Sequence, residues 1–281
     1  MRAGIVVPSL NQGRFLASAI DSLLASREVP VSIAVVDGGS TDESARIVER
    51  YRSRLSYYRS RQDEGQAAAV NEGVAALVAG VPDLGYVGFL NADDVLLDLG
   101  LVALVRALEA HPEFVAVAGR AHIIAESGAI KGEYPSAPFS RSLFARRCTI
   151  CQPATLIRRA AWESAGGLDP SLEMCLDYDL WWRLSSIGPI GFTDAIVAAS
   201  RDHPATKTRT RREQYFREAM QIVRREYGRV PWHWYISEAL ERQAGWDTSV
   251  RPAFSARLRA GVQALRAYLA ERRPGGFPQW Q

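Results

Sequence analysis

The chain has 281 residues with 34 Lys and Arg against 31 Asp and Glu, a formal net charge of +3, and 47% hydrophobic side chains. That is enough apolar material for one large α/β domain with an appendage, yet no run reaches the roughly 18 uninterrupted apolar residues of a membrane helix. Ile5-Val6-Val7 is too short for a secretory signal core; three cysteines form no even disulfide framework; the expectation is a cytoplasmic protein with no nucleic-acid partner.

In chain order, Ala3 to Val7 reads as a buried strand, and Arg14 to Ala25 as a helix with Phe15, Leu16, Ile20, Leu23 and Leu24 on one face. Val31 to Val36 is a second strand. Ser40, with Glu43 at the capping-box position, predicts a helix start that continues to about Tyr51. Leu55 to Arg59, Gln66 to Val78, Tyr86 to Leu90 and Leu99 to Ala110 then alternate strand and helix. Strands separated by helices imply a mostly parallel sheet covered on both faces. Phe114 to Ile124 is strand-like, residues 125 to 150 are irregular, and Ala160 to Ala165 and Leu176 to Ile187 are helical. Arg211 to Tyr227, Ser237 to Gln243 and Ser255 to Arg272 form a helical tail, with connectors at Gly228 to Pro231 and Ala244 to Pro252.

Charge is divided unevenly. From Arg201 onward there are 16 Lys and Arg against 8 Asp and Glu, while the preceding residues carry 18 against 23. A basic tail beside an acidic body points to an anionic surface or partner. Ser255 to Arg272 sets Leu258, Val262, Leu265 and Leu269 on one stripe among Arg257, Arg259, Arg266 and Arg272. This fits a helix at an anionic membrane surface, and equally one packed on the catalytic domain or on a second subunit.

Ligands of an open parallel sheet bind beyond the carboxyl ends of its strands. There the sequence places Pro8-Ser9-Leu10-Asn11, Asp37-Gly38-Gly39-Ser40-Thr41-Asp42, Asp63-Glu64-Gly65-Gln66 and Asn91-Ala92-Asp93-Asp94. Carboxylates gathered on one rim repel unless something positive sits between them. Asp93 and Asp94 can offer hard oxygens to Mg²⁺ or Mn²⁺, which commonly combines one or two carboxylates with substrate phosphates; as a bland alternative, one of them caps the next helix. Neither G-x-G-x-x-G nor G-x-x-x-x-G-K-[ST] is present, which disfavours a nicotinamide site and excludes a P-loop. Cys148 and Cys151 form a CxxC without a second one, so a buried thiol pair is expected before a zinc site.

Together with Gln152-Pro153-Ala154-Thr155, Gly166-Gly167-Leu168-Asp169 and Leu176-Asp177-Tyr178-Asp179-Leu180-Trp181, these segments resemble family 2 glycosyltransferases of the GT-A fold, in the family's order over about residues 3 to 208. The resemblance implies an inverting, metal-dependent enzyme with a GT-A domain at 1–208 and a basic helical extension at 209–281. It would move a sugar from a UDP- or dTDP-sugar to a hydroxyl of a glycan or lipid-linked acceptor, plausible for bacterial surface polysaccharide. It implies that Pro8, Ser9, Asn11, Asp37, Asp63 and Gln66 line the nucleoside pocket, with Asp37 accepting from a pyrimidine ring N–H. Asn91, Ala92 and Asp93 would meet ribose and diphosphate, Asp93 or Asp94 with His203 would hold Mn²⁺ or Mg²⁺, and Lys207 would reach phosphate. Asn91 stands where the family often has Asp. Asp177 matches the general base, and Asp179, about 200° away around the helix, is its competitor. Trp181 or Trp182 could stack on a sugar, or both could be core. A nucleotidyltransferase and a non-catalytic nucleotide-binding scaffold are the alternatives.

Overall fold

The computed structural model describes residues 1–246 and 253–272. They form two compact units. The first comprises Met1–Ser140 and Cys148–His203; the second comprises Arg141–Arg147 and the chain from Pro204 onward.

The first unit is built on a nine-stranded sheet. Strands β1 (Arg2–Ser9), β2 (Val31–Asp37), β3 (Tyr57–Ser60) and β4 (Leu84–Phe89) lie in the order β3-β2-β1-β4, all parallel. Helices α1 (Gly13–Leu24), α2 (Ser44–Tyr51) and α3 (Gln66–Gly80) connect them. β1 and β2 read as unbroken Ala, Ile and Val runs because helices cover both faces of the sheet. Phe15, Leu16, Ile20 and Leu23 of α1 are buried as their spacing predicts. Gly73 lets α3 lie directly on the sheet, since a Cβ there would stand 2.5 Å from Val6 Cγ1.

Beyond β4 the sheet becomes mixed. β5 (Val95–Leu96), α4 (Gly100–Ala110), β6 (Ala116–Ala125), β7 (Ile130–Glu133), α5 (Arg141–Phe144), β8 (Thr155–Arg158), α6 (Arg159–Ala165), α7 (Leu176–Ile187) and β9 (Ile190–Asp202) follow in sequence. β8 runs antiparallel to both β4 and β6, β9 is parallel to β6, and β5 and β7 pair antiparallel to β9 and β6. β7 falls within the stretch expected to be irregular. β5, β8 and β9 are absent from the sequence reading: the first two span only two and four residues, and β9 has mixed burial and bulged pairing that hide any period.

Helix α2 starts at Ser44 rather than near Ser40. The Ser40 side chain is drawn instead to Asp37 and to the Asn11 N–H, while Asp42 Oδ1 accepts the Ser44 N–H at 3.0 Å.

In the second unit, α8 (Lys207–Thr210), α9 (Arg212–Tyr227), α10 (Trp232–Gln243) and α11 (Phe254–Glu271) follow one another. α10 begins five residues before the expected Ser237, directly after Pro231, and buries Trp234 and Tyr235. Part of the connector expected at 244–252 lies outside the described residues.

Candidate active site

The loops after β1 and β2 are bound to each other. Asn11 takes a left-handed backbone (φ 53°) that asparagine tolerates better than most side chains. Its N–H donates to Ser40 Oγ at 2.7 Å, and its Oδ1 accepts the Thr41 N–H at 2.9 Å. Gly13 N–H donates to Asp42 Oδ2 at 2.8 Å, and Gly38 N–H to the Ser9 carbonyl at 2.8 Å. Pro8 and Ser9 sit beneath these loops at the buried end of β1. The Ser9 hydroxyl is buried without a protein hydrogen-bond partner, an orphaned polar group that a ligand at the rim could satisfy.

Asp37 is 1% exposed. Its Oδ2 accepts from Gly39 N–H, Ser40 N–H and Ser60 Oγ, and its Oδ1 from Ser40 Oγ. Four hydrogen bonds thus fix this carboxylate against its own loop and the end of β3. Asp63 is more open. Its Oδ1 accepts from Gly65 N–H at 3.0 Å and its Oδ2 from Arg59 Nη1 at 3.2 Å. Arg59 also reaches the carbonyls of Asp37 and Arg61 and both oxygens of Glu72. The Arg59 hydrogen bonds hold the Glu72 carboxyl down at about 2. Part of the positive charge that the acidic rim demands is therefore this arginine.

At the end of β4, Asn91 Oδ1 accepts from Gln66 Nε2 at 2.7 Å, and Asn91 Nδ2 donates to Asp94 Oδ2 at 3.2 Å. Ala92 is buried. Asp93 and Asp94 diverge. Asp93 Oδ2 lies 3.0 Å from His203 Nε2, joining two of the residues expected at a metal. Asp94, expected beside them, turns inward, and its Oδ1 accepts the Arg201 N–H at 2.9 Å. Burial, with the Asp93 charge adding to it, raises the Asp94 carboxyl far above the ordinary value of 3.8.

Arg201 clasps the Asp93 carbonyl through Nε at 2.8 Å and the carbonyls of Ala125 and Glu126 through Nη1. The guanidinium groups of Arg201 and Arg14 lie over the Phe15 ring at 4.8 and 4.4 Å, and the His203 ring tilts against the same ring at 5.1 Å. Arg14 Nη2 approaches His203 Nδ1 at 3.3 Å and Nη1 pairs with Glu126. Sequence reasoning missed Arg14, Arg59 and Arg201 in this site. Arg201 stands two residues before His203, but nothing in the sequence marks Arg14 or Arg59.

Asp177 sits in the first turn of α7, half-buried, its Oδ1 accepting the Tyr178 N–H at 2.8 Å. Burial pushes its carboxyl up to about 6. Asp179, the competing carboxylate, is buried and paired with Arg183 at 2.7 Å. Trp181 and Trp182 are both buried, so neither ring is open to stack on a sugar; Trp182 instead meets Phe139 and Tyr178 edge-on. Gln152 ties the 150s segment to the end of β4, donating to the Phe89 carbonyl at 2.6 Å and accepting weakly from Asn91. The Asp177 charge is felt at Cys148 and Cys151, and that of Asp94 at Cys151, so the base candidate and the β4 terminus flank this segment.

Among the described residues, no group of three or more His, Cys, Asp or Glu is arranged to hold a metal ion. Burial holds the Cys148 and Cys151 thiols protonated. Asp93 and His203 together supply two donors, which fits a cation that keeps waters and takes its remaining ligands from substrate phosphates. Lys207 is exposed at the start of α8, in the second unit.

The glycosyl transferase family 2 model matches residues 4–163. The chain belongs to that family. An uncharacterized glycosyltransferase of Rickettsia prowazekii (strain Madrid E) is 27% identical over 214 residues, 73% of this chain and 65% of the relative. Chondroitin synthase of Escherichia coli is 25% identical over 191 residues, 66% of this chain and 26% of that enzyme. The chain thus spans less than two thirds of the length of these relatives. Among solved structures, S. aureus TarS 1-349 in complex with UDP-GlcNAc superposes with a TM-score of 0.64 at 16% identity, covering 95% of this chain and 82% of that one. The mannosyltransferase PcManGT from Pyrobaculum calidifontis, in complex with GDP-Man and Mn²⁺, gives 0.62 at 18% identity, covering 98% and 77%. These likenesses establish the GT-A fold of mixed α/β sheet and flanking helices with a helical C-terminal region.

Proposed function

We propose that the chain is an inverting glycosyltransferase that moves a sugar from a UDP- or dTDP-sugar to a hydroxyl of a glycan or lipid-linked acceptor, in surface polysaccharide synthesis. The observation that carries this is Asp177. A carboxyl pushed up to about 6, beside a segment hydrogen-bonded to the end of β4, is tuned to take a proton near neutral pH. The acceptor O–H proton passes to Asp177 as its oxygen bonds to the anomeric carbon from the face opposite the diphosphate. The bond from that carbon to the leaving phosphate oxygen breaks with its electron pair.

The nucleoside lies over Pro8, Ser9 and the Asn11–Thr41 loops. Ser9 Oγ supplies one polar contact, Asp63 is the more open acceptor for a ring N–H, and Asp37 acts through the loop it holds. Asn91 and Ala92 shape the ribose and diphosphate floor with Gln66. Asp93 and His203 would hold Mn²⁺ or Mg²⁺, which would supply positive charge for the diphosphate. Asp94 and Arg201 fix the Asp93 backbone. The GDP-Man and Mn²⁺ of the mannosyltransferase and the UDP-GlcNAc of TarS support a nucleoside diphosphate beside a divalent cation.

Thermal unfolding with UDP, dTDP, GDP and ADP, each with and without Mn²⁺, is the test. Metal-dependent stabilisation by UDP or dTDP, abolished in Asp93→Ala and kept in Asp177→Asn, is expected. Absence of any shift with a pyrimidine diphosphate sinks the reading. Nucleotide binding with donor turnover indifferent to Asp177 makes the chain a scaffold instead.

A further inference from the structure

Helix α11 has two apolar faces of different character. Ala256, Ala260 and Ala264, spaced by four, are buried on the side packed against α10. Phe254, Leu258, Val262, Leu265 and Leu269 are all exposed, between 48% and 83%. At 3.6 residues per turn these five fall within an arc of about 80°, opposite the alanines. One exposed leucine is ordinary; five large apolar side chains in a continuous stripe mark a contact surface.

The charges beside the stripe select the partner. The same geometry sets Arg259 and Arg266 along one flank and Arg257 along the other, with Arg272 capping the helix at the end of the stripe. The helix has a single acid, Glu271, and it lies on the back, paired with Arg224 at 2.8 Å. A second copy seated on the stripe by a two-fold contact would bring arginine against arginine with no carboxylate between them. An anionic bilayer meets both features, since its acyl boundary takes the apolar stripe while arginine side chains extend to the phosphates.

We propose that α11 is a lipid-contact helix lying in the headgroup layer of an anionic membrane, with Phe254, Leu258, Val262, Leu265 and Leu269 inserted and Arg259, Arg266 and Arg272 at lipid phosphates. No described helix is long and apolar enough to cross a membrane, so the association is peripheral and salt-sensitive.

The full chain is floated with vesicles of phosphatidylcholine alone and of equimolar phosphatidylcholine and phosphatidylglycerol, at low and physiological salt. Binding to the anionic vesicles only, weakened by salt, is expected. Arg259→Gln with Arg266→Gln lowers the partition coefficient roughly 30-fold, at about fivefold per arginine near an anionic surface. Leu258→Ser with Leu265→Ser abolishes flotation at unchanged charge, and both exposed pairs leave the thermal melt in place. Equal recovery with both vesicle types, or none with anionic vesicles at low salt, overturns the proposal. So does a dimer by light scattering that the leucine pair dissociates while vesicle binding stays absent. None of these results touches the transfer chemistry, which the nucleotide melts test separately.

Discussion

Replacing Asp177 by Asn removes the proposed proton acceptor and little else, because Asn keeps the shape and the oxygen that accepts the Tyr178 N–H. General-base catalysis contributes about 10² to 10⁴ in rate, on the order of 3 to 5 kcal/mol. The structure adds a pH signature. With a carboxyl titrating at about 6, the basic form makes up roughly a tenth at pH 5 and roughly nine tenths at pH 7, so kcat/KM rises about tenfold between them. The assay is release of nucleoside diphosphate from UDP-GlcNAc and other UDP- and dTDP-sugars with water as acceptor, since water must also give up a proton. In Asp177→Asn the limb disappears and any remaining pH dependence belongs to other groups, Asp94 among them. Stability moves the other way. A carboxyl raised above its ordinary 3.8 by burial binds its proton more tightly folded than unfolded, so folding loses stability as pH rises from about 4 through about 6. Asp177→Asn escapes this loss and melts higher than wild type at pH 8. A variant with a tenth or more of wild-type turnover, an unchanged limb, or lost UDP binding refutes the assignment.

Other outcomes follow from neighbouring contacts. His203→Ala removes one of the two proposed metal donors, and the expected Mn²⁺-dependent stabilisation by UDP, about 2.7 kcal/mol at 100 times the dissociation constant, falls to near zero in a calorimetric melt. Glu72→Gln leaves Arg59 buried without its main charge partner and costs about 1 to 3 kcal/mol in urea unfolding at pH 7. Because Glu72 is held at about 2, its contribution is complete above its ordinary 4.5 and is lost as pH falls through 2; the gap between wild type and variant closes over that window. Gly100→Ala brings a Cβ to 2.2 Å from the Val197 carbonyl oxygen, and its chemical denaturation midpoint drops by an amount equivalent to about 1 to 3 kcal/mol; an unchanged midpoint means α4 can shift without cost.

The parallel half of the fold was legible because both determinants are local. Apolar runs such as Ala34-Val35-Val36 declare buried strands, and the polar residues that end them must lie at the sheet rim. The mixed half was not, since β8 and β5 are too short to show a period and β9 gains its partners from β6 and β5, far away in sequence. Likewise, spacing separated Asp177 from Asp179 around the helix, and Asp179 with Arg183 is a local i,i+4 pair, but the burial of Asp179 is a tertiary fact. Neighbouring letters could not say that Asp93 faces His203 while Asp94 faces the Arg201 backbone. Arg59 was invisible because arginine is usually solvated and only packing desolvates it, and the exposed Arg14 joins the site only through its folded contacts with His203 and Glu126.

The clasp between the β1 and β2 loops has a consequence for how this pocket can be altered. Asn11 gives and receives across the gap, Asp42 holds Gly13, and Ser40 is anchored in turn on Asp37. Asp37 shapes part of the β2 loop by itself, but each loop also depends on the other. Grafting residues 8–13 from a relative without residues 37–42 breaks these pairings, so changes to the proposed nucleoside pocket are expected to come as matched pairs of substitutions, and single-site libraries over either loop to be dominated by inactive variants.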